Sequence, residues 1–155
     1  MSLLEILRSP DLVDRGIAAD RTYAANDVVV AEGDEDRRMF LIEEGTVRVT
    51  GRVTLEAGRH IQPGLSDLGP GEVFGELMLF EGGARSATVT AIAPTRLREF
   101  DAVRLADWFD AHPEQGYVVL KSLFTILTVR LRKADQRLAN LFAWGLKMHG
   151  IDKHL

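Results

Sequence analysis

The stretch Phe74-Gly75-Glu76-Leu77-Met78-Leu79-Phe80-Glu81-Gly82-Gly83-Ala84-Arg85-Ser86-Ala87-Thr88-Val89 decides how the chain is read. A strand ends at Val73-Phe74, and Gly75 permits a sharp change of direction. Glu76-Leu77-Met78-Leu79-Phe80 has the length of one helical turn, which Gly82-Gly83 then stops. A second strand opens with Arg85-Ser86. Such a turn offers unpaired N–H donors to a loop, and its dipole favours an anion there. Arg85 returns to the same place with a planar fork suited to bidentate phosphate contact, and Ser86 adds a hydroxyl donor. Glu76 only accepts when ionised, so it suits a sugar hydroxyl better than a phosphate. Phosphate donors beside a ribose acceptor describe a nucleotide site. The loop is too small for a triphosphate cradle, and no Gly-x-x-x-x-Gly-Lys-Ser/Thr loop occurs in the chain.

Outward from this segment, residues from about 21 to 100 alternate between short β-type runs and turn signals. The runs are Val28-Val29-Val30, Met39-Phe40-Leu41-Ile42, Thr46-Val47-Arg48-Val49-Thr50, Ser86-Ala87-Thr88-Val89-Thr90-Ala91 and Arg96-Leu97-Arg98-Glu99-Phe100. Between them lie Glu32-Gly33-Asp34, Glu43-Glu44-Gly45, Ala57-Gly58 and Gly69-Pro70-Gly71-Glu72, all suited to tight turns. Strands at this spacing point to a barrel or sandwich. Residues 1–20 read as helical or irregular, with Ser2-x-x-Glu5 as a capping box and Pro10 and Gly16 as breakers.

From residue 101 the pattern turns helical. Asp101 caps a helix over 102–110, and Pro113 suits the first position of a second helix that runs to about residue 144 and ends near Gly145 or Gly150. Leu120, Phe124, Leu127, Leu131, Ala134, Leu138, Leu141 and Gly145 repeat at alternating spacings of four and three. That is a heptad seam, which a homodimer through helix 114–145 would bury. Val118, Val119 and Ile126 leave open that the first half lies on its own barrel.

Composition excludes several classes. The 155 residues are 46% hydrophobic and 27% charged, as in an ordinary globular domain. No cysteine is present, which removes disulfides and thiolate sites. The four histidines are scattered and form no ligand pair, so no metal is expected, and a metal-dependent cupin reading fails with them. No catalytic grouping stands out, and the chain is read as a non-enzyme. The longest apolar stretch, 117–129, contains Lys121 and is too short to cross a bilayer; no membrane contact is expected and the cytoplasm is the expected location. Residues 1–112 carry 12 basic and 20 acidic side chains, while 113–155 carry 7 and 3. The basic excess is read as a solvated helix face rather than a nucleic-acid surface.

Ala31-Glu32-Gly33-Asp34, the run Met39 to Val49, Leu68-Gly69-Pro70-Gly71-Glu72-Val73-Phe74-Gly75-Glu76-Leu77 and Arg85-Ser86-Ala87-Thr88-Val89 together resemble the cyclic nucleotide-binding domain of catabolite activators, protein-kinase regulatory subunits and gated channels. The likeness extends over residues 33–141. It implies an α+β fold: an eight-stranded antiparallel β-roll of the jelly-roll type, flanked by an N-terminal helix and a long C-terminal helix. It implies that residues 1–147 are one such domain, with a helical N-terminal segment over 1–20, the roll over 21–100 and hinge and lid helices over 101–147, followed by a tail over 148–155. By the resemblance, Glu76 accepts from the ribose 2′-hydroxyl, Gly75, Leu77 and Met78 line the pocket, and Arg85 and Ser86 hold the cyclic phosphate. Leu131, Ala134 and Asp135 then fall on the lid near the base. The chain departs from the family at Met78, where Ala or Gly is usual, and at Ala134, which cannot hydrogen-bond adenine. Residues 51–68 are a few residues longer than usual, with Arg59-His60-Ile61-Gln62-Pro63-Gly64 as the expected loop.

The expectation is a stand-alone sensor of a cyclic mononucleotide, cAMP first and cGMP second, that acts in trans on an unknown effector protein. Too little chain follows Leu146 for a helix-turn-helix, so no DNA partner is expected. Two alternatives remain: a ligand-free scaffold of the same fold, and a cyclic dinucleotide as ligand. The receptor reading requires Arg85 to be held in a dry cleft and not plugged by a carboxylate.

Overall fold

In a computed structural model that describes residues 1–51, 53–54, 60–61 and 64–148, the chain opens with two short helices, α1 (Leu3–Leu7) and α2 (Pro10–Asp14). The Ser2 side chain accepts from the Glu5 N–H at 3.2 Å, which is the first half of the expected capping box. Among the described residues ten strands follow: β1 (Ala18–Tyr23), β2 (Val28–Val30), β3 (Arg38–Glu44), β4 (Val47–Thr50), β5 (Val53–Thr54), β6 (His60–Ile61), β7 (Gly64–Leu68), β8 (Val73–Phe74), β9 (Thr88–Ala91) and β10 (Thr95–Asp101). Between β8 and β9 sits one 3-10 turn, Glu76–Leu79. The chain then runs through α3 (Ala102–Ala111) into α4 (Pro113–Met148).

Eight strands form two four-stranded sheets, ordered β1-β10-β3-β8 and β2-β9-β4-β7, and every strand pairing is antiparallel. This is the α+β roll expected from the sequence. The small β5–β6 ladder adds to it, with Val53 opposite Ile61 and Thr54 opposite His60. His60, Ile61 and Gly64 are therefore in strands, not in the loop expected over 59–64. Ala57, Gly58, Arg59, Gln62, Pro63, Gly150 and the segment 149–155 lie outside the described residues.

Strand β3 divides the core in two. Met39 and Leu41 face the helices and join Leu7, Leu12, Phe100, Leu105, Phe109, Val119 and Leu123. Phe40 and Ile42 face the interior of the roll with Val30, Val47, Phe74, Val89 and Leu97. A strand buried on both faces reads as a continuous apolar run, which is why Met39-Phe40-Leu41-Ile42 shows no alternation. Strand β1 was not expected, because Ala-Ala-Asp-Arg-Thr-Tyr carries no apolar pattern. It is an edge strand held by its register with β10 and by Arg98 Nε donating to Asp20 Oδ1 at 3.2 Å.

The helices follow their caps. Asp101 Oδ1 accepts from the Arg104 N–H at 3.1 Å and opens α3. His112 leaves the helical region before Pro113, as a residue preceding proline is driven to do. That break separates α3 from α4. Helix α4 passes Gly145 without stopping. Its contact face is Val119 and Leu123, with Val118 and Ile126 beside them. The heptad seam faces away: Leu131 is 63% and Leu138 68% exposed.

One turn is sterically exacting. Gly45 has φ 92°, and a Cβ there would press on the Thr95 side chain and the Pro94 carbonyl. Gly45→Ala is expected to destabilise the fold by about 2–3 kcal/mol, a fall in melting temperature of roughly 5–10 °C measurable by calorimetric unfolding. An unchanged transition would show that the β3–β4 turn can relax around a side chain.

Candidate functional site

The site grows from the end of β8. Phe74 stacks on Phe40 with ring centroids 4.7 Å apart, which anchors the strand end in the core of the roll. Gly75 then takes φ 76°, the left-handed region that only glycine adopts at no cost. A Cβ at this position would stand 2.8 Å from the Arg38 carbonyl oxygen and 2.9 Å from Arg85 Nη1. Gly75 therefore serves a close approach as well as a turn. The Glu76–Leu79 turn is closed by the Met78 N–H donating to the Gly75 carbonyl at 3.1 Å. Leu79 and Met78 bury their side chains in the helix-side core, which fixes the turn against α3.

Arg85 arrives from the other side of the loop. Its backbone is tied to the segment before β3: the Arg85 N–H donates to the Asp34 carbonyl at 2.7 Å, and the Gly33 N–H donates to the Arg85 carbonyl at 2.9 Å. Its guanidinium is only 6% exposed. Nε and Nη2 donate to the two carboxylate oxygens of Asp36 at 3.3 and 3.1 Å, and Nη2 also donates to the Arg38 carbonyl at 2.7 Å. The same guanidinium lies over the Phe40 ring, 6.0 Å from its centroid. Nη1, beside Gly75, makes no hydrogen bond among the described residues.

A cleft of about 460 Å³ opens between the sheet β2-β9-β4-β7 and the turn. Gly75, Glu76, Leu77, Met78, Arg85 and Ser86 all line it, so the structure brings together the six residues singled out from the sequence. Asp36 does not belong to its wall. The carboxylate thus grips Arg85 from behind the cleft. It orients the cation and does not fill the opening.

The lid residues are placed differently. Leu131, Ala134 and Asp135 lie exposed on α4 and do not line the cleft; the α4 residue that does is Arg130. Arg130 Nη1 donates to Glu76 Oε1 and Nη2 to the Val73 carbonyl, both at 2.8 Å. Glu76, 6% exposed, is therefore neutralised by the long helix. Asp36 and Arg130 were both missed from sequence. Arg130 had a signal: Val119, Leu123, Ile126 and Arg130 follow one 4-3-4 stripe, so a cation continues the face that meets the body. Asp36 had a weaker one, as a carboxylate two residues before the doubly buried strand.

The residues matched by the family model for the cyclic nucleotide-binding domain are 20–112. This chain belongs to that family. Among its curated relatives is a CRP-like cAMP-activated global transcriptional regulator of Mycobacterium tuberculosis, 32% identical over 113 residues, which are 73% of this chain and 47% of the relative. The catabolite activator protein of Thermus thermophilus superposes with a TM-score of 0.65 at 30% identity, over 88% of this chain and 62% of that one. A cyclic nucleotide-binding domain from Methylobacillus flagellatus gives 0.72 at 25% identity, over 87% and 79%. The chain spans about half the length of the mycobacterial relative. In this cyclic nucleotide-binding domain, no helix among the described residues is long and apolar enough to cross a membrane, and no three His, Asp or Glu side chains converge on a metal position.

Burial pushes the Asp36 carboxyl up, but the hydrogen bonds and charges of Arg85 and Arg38 outweigh it and hold the group below the ordinary carboxylate value. A depressed carboxylate adds stability that is present above its unfolded value of about 3.9 and is lost as pH falls through the lower folded value. Urea unfolding followed from neutral pH into the acid range is expected to show this loss. Asp36→Asn, which cannot titrate, should be less stable at neutral pH and should show a shallower acid slope. Equal slopes would mean that the carboxylate is not held by the two arginines in solution.

Proposed function

We propose that this chain binds a 3′,5′-cyclic mononucleotide, cAMP before cGMP, at the cleft lined by Arg85 and Glu76, and acts as a regulator rather than a catalyst. The observation that carries the reading is the state of Arg85. Its guanidinium is buried and braced on two nitrogens, and the third is left beside Gly75 at the cleft. A singly charged phosphodiester suits one such cation. Ser86 supplies a hydroxyl donor next to it, and Glu76 supplies the acceptor for a ribose hydroxyl. Leu77 and Met78 lend the cleft wall. The cleft volume falls within the few hundred cubic ångströms usual for a small-ligand site. The cAMP-activated mycobacterial relative supports cAMP as the first candidate.

The Arg130–Glu76 pair explains how occupancy reaches α4. A ribose hydroxyl that donates to Glu76 changes the charge balance of the carboxylate that holds Arg130. Ligand then shifts α4 between positions by the difference in its affinity for them, and by no more. Leu131, Ala134 and Asp135 stand on the stretch of α4 that such a shift reorients. The exposed seam through Leu131 and Leu138 pairs α4 with the same helix of a second copy, and the dimer passes the change to an effector protein.

Calorimetric titration with cAMP and cGMP tests the ligand. Arg85→Leu should weaken binding by roughly a hundredfold or more, because charge-assisted bonds to the phosphate are lost. Undiminished affinity in that variant would reject the site. For the assembly, light scattering should find a dimer in the parent chain and a monomer in Leu131→Glu or Leu138→Glu. A dimer that survives both changes puts the interface elsewhere.

A further inference from the structure

We propose that Arg37 is a positioning residue that couples the Glu76–Leu79 turn to the start of α3; the proposal rests on the ligand site argued above. The side chain of Arg37 donates twice to one acceptor, the Met78 carbonyl, from Nε at 3.1 Å and from Nη2 at 2.6 Å. It crosses the far end of the loop on the way: a Cβ on Gly82 would lie 3.5 Å from its Cδ. The main chain of the same residue faces the other way. The Arg37 carbonyl accepts the N–H of Ala102, the first residue of α3, at 3.0 Å. One residue thus holds the turn with its side chain and the hinge helix with its backbone.

The neighbours sharpen the assignment. Asp36 grips Arg85 and the Arg38 carbonyl accepts from it, so residues 36–38 brace the phosphate end of the site and its turn from behind. Arg37 is the member of the three that reaches the turn. Residue 37 precedes β3, and the segment leading to it is irregular. Its bond to Ala102 extends the β3–β10 ladder one step beyond the Asp101–Arg38 pair, and the anchored side chain stands at that end of the ladder. Met78 and Leu79 also share the helix-side core with Leu105 and Phe109 of α3. Apolar packing tolerates sliding, whereas a charged fork on a single carbonyl is directional and moves with it. A shift of Met78 on ligand binding is carried by Arg37 to Ala102, and from there through α3 to the hinge at His112. Coupling of this kind is reciprocal, so a change at α3 also alters the turn.

The test is residue-resolved amide exchange by NMR on the full chain, with Arg37→Ala and Arg37→Lys beside the parent. Without ligand, Arg37→Ala should raise exchange about tenfold at the Phe80 and Glu81 amides and also at Ala102, and Arg37→Lys should restore some of the protection at both places. With cAMP, the parent should gain protection at Ala102 and the alanine variant should not. If Ala102 keeps its protection in Arg37→Ala while Phe80 and Glu81 loosen, Arg37 is a local brace and the coupling is refuted. A parent chain that gives no heat with cAMP or cGMP refutes the ligand reading instead, and the exchange comparison without ligand still decides the role of Arg37.

Discussion

A buried guanidinium has to be neutralised, and the way Arg85 is neutralised organises the site. Removing a cation from water costs several kilocalories per mole unless charge and hydrogen bonds replace the solvent. Asp36 and the Arg38 carbonyl do so from the side away from the cleft, and the Phe40 ring covers one face. The cation is thereby rigid before any ligand arrives. It retains a nitrogen toward Gly75, where a side chain would close the approach. Preorganised donors of this kind lose little ordering entropy on binding. A carboxylate that held Arg85 from the cleft side would have the opposite consequence, since a ligand would have to displace it.

The position of β3 makes this arrangement possible. Residues 36–38 enter the strand whose alternate side chains supply both cores: Phe40 and Ile42 toward the roll, Met39 and Leu41 toward the helices. Phe40 meets Phe74 at the end of β8, immediately before Gly75. The backbone around Asp34 meets Arg85. The cleft is therefore referenced to a strand buried on both faces, and both ends of the loop 75–85 are tied to it or to the segment just before it. Interiors at native density transmit strain because they cannot be compressed. That rigidity would carry a displacement of the four-residue turn, as proposed above, into its surroundings.

What could be read from the chain and what could not divide along a physical line. The turn, its flanking glycines and the return of Arg85 were legible because local sequence dictates them: Gly75 at positive φ, one helical turn, then Gly82-Gly83. Strands with an apolar run or alternation were legible for the same reason. Strand β1 was not, since Ala18–Tyr23 is an edge whose pairing is carried by main-chain bonds and an ion pair, neither of which leaves a periodic trace. Nor were Asp36 and Arg130. Each reaches the site across a long separation in sequence, 49 residues to Arg85 and 54 to Glu76, and pairing between charges so far apart has no spacing rule. The His60-Ile61 segment paired as a strand where the family resemblance implied a loop, because ladder formation depends on a partner, here Val53–Thr54, as much as on the residues themselves.

Helix α4 shows how one sequence pattern serves two purposes. Its apolar residues fall on two stripes: Val119, Leu123 and Ile126 against the body, ending in Arg130, and the seam through Leu120, Phe124, Leu131 and Leu138 turned to solvent. Up to Arg130 the first stripe fixes the helix, and beyond it no described residue of α4 is buried. The ion pair with Glu76 thus sits where the buried stripe of the helix ends. Contacts before it are apolar and indifferent to charge, whereas the pair itself is charged. In the proposed reading, a ligand acting there would change the helix where its buried stripe ends.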